Sequence, residues 1–169
     1  MDSESARMSS AAEARFRVDY PNSKPRVVKV VALDAASERV VKRVAQQGWQ
    51  RATFFTSIKF EGAARSGESW SMQAWLSDLA GRTKALVEEV AAADLVVMVS
   101  SAGTSAQAAV IGEACAARKV MTMALIIGSE QRSNEELSKT LAALRPYASM
   151  LVIASDDEYI EEMLAALRA

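Results

Sequence analysis

The chain predicts an α/β domain: a single three-layer, doubly wound (Rossmann-like), mostly parallel sheet with helices on both faces. Three observations carry this expectation. The runs Val27–Leu33, Leu95–Val99 and Val120–Ile127 are almost continuously apolar, as strands covered on both faces must be. Segments of helical periodicity alternate with these runs, the pattern that produces right-handed crossovers in a parallel sheet. Finally, half of the 169 residues are hydrophobic and 24% are charged, enough apolar material for one domain with its own core. Residues 1–25 read as a flexible N-terminal arm and 26–169 as the single α/β domain.

Within the arm, Phe16, Val18 and Tyr20 alternate with polar residues, as in a short edge strand. Pro21 and Pro25 then mark a turn. Val27–Leu33 is the first strand. Asp34 or Ser37 can cap the helix that follows, because each offers a side-chain oxygen to a free N–H. Val40, Val41, Val44 and Ala45 form its apolar stripe, and Gly48 is placed to end it. Ala52–Ile58 is the second strand. Lys59–Ser71 is polar and reads as a long loop, Met72–Ala80 as a short helix, and Gly81 as a break. Thr83–Ala92 then resumes as helix, with Leu86, Val87 and Val90 toward the core. Strand Leu95–Val99, helix Ala106–Ala117 and strand Val120–Ile127 follow. Ser133 or Asn134 caps a helix through Leu144, and Glu136, three residues after Ser133, completes a capping-box pattern. Pro146 stops that helix. Met150–Ala154 is the last strand, and Asp156–Leu167 the closing amphipathic helix.

Composition excludes several chemistries. The chain has no histidine, which removes histidine triads, histidine metal sites and histidine general bases. Its one cysteine, Cys115, permits no intrachain disulfide and fits a reducing cytoplasm. It sits mid-helix among alanines, where a small core residue is the expected role. A net charge of −1 gives no electrostatic case for nucleic acid or an anionic membrane. No apolar run is long enough to cross a bilayer. The expected location is therefore cytoplasmic, with neither nucleic acid nor membrane as partner.

The candidate site follows from topology. In parallel α/β sheets, ligands bind beyond the carboxyl ends of the strands, where helix N-termini present free N–H groups to anions. The stretch V-S-S-A-G-T-S-A, Val99–Ala106, lies between a strand and a helix and is rich in hydroxyls. It nominates Ser100, Ser101, Gly103, Thr104 and Ser105 as ligand-binding residues, with Asp34 and Ala35 from the first strand's loop and Ser129 and Asp156 on the rim. Each also has a plainer role. Asp34 suits a helix cap as well as a general base or ribose contact, and Thr104 or Ser105 suits a cap of the following helix. Asp156, Asp157 and Glu158 suit a helix dipole better than a metal. Trp70 and Trp75 suit packing of the long loop as well as base stacking. Lys59, Arg65 and Arg82 suit solvent as well as a phosphate. Met121, Met123 and Met150 are expected in the core.

Two family resemblances bear on this loop. The order helix, A-D-L-V-hydrophobic strand, Gly/Thr-bearing loop, A-x-V-I-x-E helix and hydrophobic strand over Arg82–Ile127 resembles the nucleotide-binding core of the tubulin/FtsZ family. The segment E-E-L…L-A-A-L-R-P-Y-A-S-M-L-V-I-A-S-D-D is also similar to that family's helix leading into an L-I-V-I-P-N-type strand. The family's G-G-G-T-G-T-G loop is represented here only by Ser101-Ala-Gly-Thr-Ser-Ala106, and its glycine-rich first loop by Asp34-Ala-Ala-Ser37, whose carboxylate would repel a triphosphate. The resemblance thus implies a nucleotide- or phosphate-binding domain with degraded phosphate loops, regulatory and without GTP-driven polymerisation.

Secondly, Val99-Ser-Ser-Ala-Gly-Thr-Ser105 is similar to the I-S-x-S-G-x-[ST] signature of sugar isomerase (SIS) domains. It matches at Val99, Ser100, Gly103 and Ser105 and departs at Ala102, implying a phosphosugar-binding protein or isomerase. The expected partner is a small phosphorylated ligand. No motif identifies a cofactor, and a nucleotide with magnesium is the one candidate. No catalytic constellation stands out, so enzyme activity stays open. A non-catalytic oligomeric interaction protein is the third alternative: Ile160, Met163, Leu164 and Leu167 on the closing helix suit either a homodimer contact or packing on the sheet.

Overall fold

The structure is a computed structural model that describes residues 24–57, 75–78, 83–101, 106–129, 132–154 and 158–169. Among these, strands β1 (Val28–Ala32), β2 (Ala52–Thr56), β3 (Trp75–Asp78), β4 (Thr83–Ala85), β5 (Leu95–Ser100), β6 (Met121–Ile126) and β7 (Met150–Ile153) form one sheet in the order β4-β3-β2-β1-β5-β6-β7. The five strands β2-β1-β5-β6-β7 are mutually parallel. The helices are α1 (Ala35–Ala45), α2 (Leu86–Ala91), α3 (Ala106–Arg118), α4 (Asn134–Leu144) and α5 (Tyr159–Ala166), with a 3-10 turn at Arg145–Tyr147. This is the doubly wound α/β, Rossmann-like architecture expected from the sequence. The edge strand expected at Phe16, Val18 and Tyr20 and the loop expected over Lys59–Ser71 lie outside the described residues.

The apolar runs become central strands because side chains alternate across the sheet and both faces are covered. On one face Val28, Val30, Val97, Val99 and Leu125 pack with Val41 and Val44 of α1 and Ile160 and Leu164 of α5. On the other, Val31, Val96, Met98 and Ile126 pack with Leu86 and Val90 of α2, Ile111 and Cys115 of α3 and Leu144 of α4. Burying one such side chain stabilises by about 1.5–3 kcal/mol. Ile160 and Leu164 are fully buried on the sheet, so they do not offer a free dimer face. Gly112 of α3 lets the chain approach closely: a Cβ there would stand 2.5 Å from Cβ of Tyr147. Past the end of α1, Gly48 takes φ +74, the left-handed conformation that glycine accommodates at no steric cost.

One segment departs from expectation. The sequence predicts a helix over Met72–Ala80, but Trp75–Asp78 is a strand antiparallel to β2, and Thr83–Ala85 pairs antiparallel with it. The helix expected over Thr83–Ala92 is confined to Leu86–Ala91. The reason is tertiary: β2 offers an unpaired edge, and its backbone groups find partners in β3 rather than in water. Met121 and Met150 also differ from expectation, being 45% and 51% exposed, whereas Met123 is buried.

An unanticipated charge lies in the first strand. Lys29 of β1 is only 8% exposed. Its ammonium donates to Glu89 Oε2 of α2 at 2.8 Å and to Thr53 Oγ1 of β2 at 3.3 Å, and lies 5.8 Å from the Phe55 ring centroid. This pair ties α2 to the middle of the sheet. A buried charge stripped of its counter-charge is costly, whereas replacing both partners by apolar groups is far less so. Glu89→Gln is therefore expected to lower stability by about 2 kcal/mol, read as a lower urea midpoint. Lys29→Met/Glu89→Leu should recover most of that loss. An unchanged midpoint in Glu89→Gln would show that the pair does not hold α2 in place.

Candidate functional site

The parallel strands order as β2-β1-β5-β6-β7, so the chain leaves β1 toward one side of the sheet and continues from β5 toward the other. The connections also diverge in depth, α1 covering one face and α3 the opposite one. In open α/β sheets such a reversal is the expected place for a ligand crevice, here above the carboxyl ends of β1 and β5.

Asp34 and Ser101 stand at that crevice, and they meet. Asp34 is the N-cap of α1: its Oδ1 accepts the Ser37 backbone N–H at 2.8 Å, while its own N–H donates to Ser37 Oγ at 3.1 Å, a complete capping box. The same carboxylate reaches across to β5. Ser101 Oγ donates to Oδ1 at 2.7 Å, Ser101 N–H to Oδ2 at 2.7 Å, and Ser100 Oγ to Oδ2 at 3.1 Å. A carboxylate has roughly four lone-pair sites, so these four donors saturate it. Burial alone would push the Asp34 carboxyl up. The hydrogen bonds from Ser37, Ser101 and Ser100 outweigh it and hold the group below its ordinary value. Asp34 is therefore an ionised, fully engaged group rather than a base with a free lone pair.

Of the residues nominated from sequence, the structure brings Asp34, Ala35, Ser100 and Ser101 together. Ala35 is the first residue of α1, and Ser100 and Ser101 are buried. Ser129 lies on the loop after β6, where its Oγ donates to the carbonyl of Ala154 at 3.3 Å, beyond the end of β7. Gly103, Thr104, Ser105 and Asp156 lie outside the described residues, as do Asp157, Lys59, Arg65, Trp70 and Arg82. Among the described residues, no group of three or more Cys, Asp or Glu is arranged to hold a metal ion, and no helix is long and apolar enough to cross a membrane. Cys115 is buried in α3, and burial pushes its thiol up to about 12, which leaves it unreactive.

Arg132 is not among the residues nominated from sequence. It lies on the β6–α4 loop, with its backbone N–H donating to the Ser129 carbonyl at 3.2 Å. Its Nε is buried without a hydrogen-bond partner, the one such side-chain nitrogen or oxygen among the described residues. Native structures rarely leave a buried donor unmatched, and a bound ion or ligand is one way such a group is satisfied. The sequence holds a signal for it: Arg132 is the one basic residue in the loop Gly128–Ser133, which leaves the carboxyl end of a parallel strand.

No protein-family model matches the chain, and no curated protein matches its sequence. The site therefore rests on its own geometry.

The Asp34 cluster has a defined pH signature. A carboxyl held below its unfolded value stabilises the fold above that value, and its contribution disappears as the pH falls through the folded value. Allowing for partial exposure, Asp34→Asn is expected to cost about 1 kcal/mol at pH 7. The gap from wild type should narrow as the pH drops below about 4. Urea unfolding of both proteins across this range provides the measurement, and a gap of constant size down to about pH 3 would show that Asp34 is not held ionised by its serines.

Proposed function

We propose that this protein is a small-molecule-binding α/β domain whose ligand carries a phosphate and sits over the carboxyl ends of β1, β5 and β6, without turnover. The observation that carries the reading is the reversal of strand order between β1 and β5, with Asp34, Ser100 and Ser101 gathered at that point. The charges orient the ligand. A sealed carboxylate marks the β1 side and repels an anion. The β6 side carries Arg132 with an unpartnered Nε, and an arginine guanidinium is suited to phosphate. The α3 helix, Ala106–Arg118, begins between them, and the N-terminus of a helix of this length favours negative charge. The phosphate accordingly lies toward α3 and Arg132, with Gly103, Thr104 and Ser105, which precede α3 in the sequence, as its further contacts, and the rest of the ligand extends toward Asp34 and Ala35. A nucleotide with magnesium is the first candidate ligand and a sugar phosphate the second. Without histidine, and with Asp34 engaged on both oxygens, the described residues gathered at this point include no free base, which supports a binding and regulatory role.

The test is thermal unfolding of the whole chain with GTP, GDP, ATP, sugar phosphates and inorganic phosphate, with and without magnesium. A ligand at 100 times its Kd adds about 2.7 kcal/mol to stability. In a domain of this size that raises Tm by roughly 5–10 °C. The shift should be lost in Arg132→Ala and in Gly103→Val. A shift from sugar phosphates alone would select the phosphosugar over the nucleotide. No shift from any compound at saturation, or a shift that both variants retain, would overturn the reading.

A further inference from the structure

The amino-terminal end of the sheet, opposite the crevice, is incompletely covered. Helix α5 (Tyr159–Ala166) runs to this end of the sheet but leaves the side chains that open β6 and β7, Met121 and Met150, partly uncovered. A groove of about 400 Å³ opens there, with Leu95, Met121, Met123 and Met150 on the sheet side and Met163 and Leu167 on the helix side. Met123 and Met150 are in register on neighbouring strands, and Met121 shares their face. Met121 and Met150 are 45% and 51% exposed. Large side chains clustered and exposed in this way mark an interaction surface. The groove suits an apolar occupant better than a polar small molecule, because methionine and leucine make up most of its surface and Arg26, Thr122, Tyr159 and Glu162 are its polar residues. Of these, Thr122 already accepts the Ser149 N–H on its Oγ1 at 3.1 Å.

The groove's own wall indicates its occupant. Arg26 lines it, and the Arg26 N–H donates to the Leu167 carbonyl at 3.2 Å. The chain preceding Arg26 therefore starts at the groove. That chain carries Phe16-Arg17-Val18-Asp19-Tyr20. When extended, it places Phe16, Val18 and Tyr20 on one face and Arg17 and Asp19 on the other. The six residue steps from Tyr20 to Arg26 span at most about 20 Å, enough to lay this face in the groove. Pro21 and Pro25 restrict the connecting backbone and reduce the entropy lost on docking. A segment tethered this closely is present at an effective concentration in the millimolar range, which favours it over a second copy of the chain.

We propose that residues 16–20 dock in this groove of their own chain, with Phe16, Val18 and Tyr20 covering Met121, Met150 and Met163. The inference is independent of the ligand reading, since groove and crevice lie at opposite ends of the sheet. Methionine oxidation follows exposure, so peroxide footprinting of the whole chain by mass spectrometry tests it. In the triple variant Phe16→Ser/Val18→Ser/Tyr20→Ser, Met121 and Met150 are expected to oxidise about fivefold faster than in wild type. Met98, fully buried in the core, should be unchanged and so reports that the domain stays folded. The wild-type protection should be the same at low and high protein concentration. Equal rates in wild type and variant would overturn the proposal. So would protection that grows with concentration alongside a dimer in sedimentation, which would make a second copy the occupant. As a second measurement, Val18→Cys/Met150→Cys should close an intramolecular disulfide in oxidised glutathione buffer, with buried Cys115 uninvolved. Failure of the cross-link to form in the folded protein would also overturn the proposal.

Discussion

The carboxylate of Asp34 is the constraint on which the site and much of the fold depend. Where the strand order reverses, β1 and β5 send their connections to opposite faces, and past the backbone bond from Leu33 N–H to the Val99 carbonyl the described residues of the two connections are tied together by side chains. Asp34 makes the tie with four hydrogen bonds: one from the first turn of α1 and three from Ser100 and Ser101. A charged acceptor makes stronger hydrogen bonds than a neutral one, and partial burial strengthens them further. By capping α1, the same group sets where that helix begins and hence which of its residues, Val41 and Val44, meet the sheet. Junction and helix start are thus one structural event.

The parts of the fold that can be read from sequence are those determined locally. Val27–Leu33, Leu95–Val99 and Val120–Ile127 declare themselves because a strand buried on both faces excludes most polar residues. Ser133 with Glu136 declares the start of α4 because a capping box needs only four residues. What cannot be read depends on partners distant in sequence. Trp-Leu-Ser-Asp at 75–78 has no clean alternation, and the open edge of β2 is what makes it a strand. Lys29 within an apolar run is intelligible only once Glu89, sixty residues later, is seen beside it. The exposure of Met121 and Met150 depends on how far other elements cover the start of β6 and β7, which no local pattern in those strands reports.

The candidate site divides along the same line. Asp34 is readable both as a helix cap and as a crevice residue, because either role follows from its place after a strand. That the two roles coincide, with the capping carboxylate also holding Ser100 and Ser101, rests on contacts across more than sixty residues and has no local signature. These contacts also alter what the serine hydroxyls can do. In the sequence they are free donors for a phosphate; in the fold they are committed to Asp34. Among the described residues, the unmatched buried donor is Arg132 Nε, on the β6 side.

Under the proposed reading, that placement bears on the kind of ligand this end of the sheet would accept. A carboxylate saturated by four donors is chemically quiet but keeps its negative charge, so it selects against anions nearby while offering little hydrogen bonding of its own. A guanidinium with an unmatched donor does the reverse. A ligand lying as proposed across β1, β5 and β6 would meet Asp34 on one side and Arg132 on the other, an arrangement that favours a molecule with its charge at one end. A phosphomonoester on an uncharged body, whether nucleoside or sugar, has that shape. A compact dianion such as inorganic phosphate satisfies the Arg132 side alone, leaving the Asp34 side without a neutral group to cover it. The proposed preference for an extended phosphorylated compound thus follows from how two charges are placed rather than from the hydroxyls of the loop after β5.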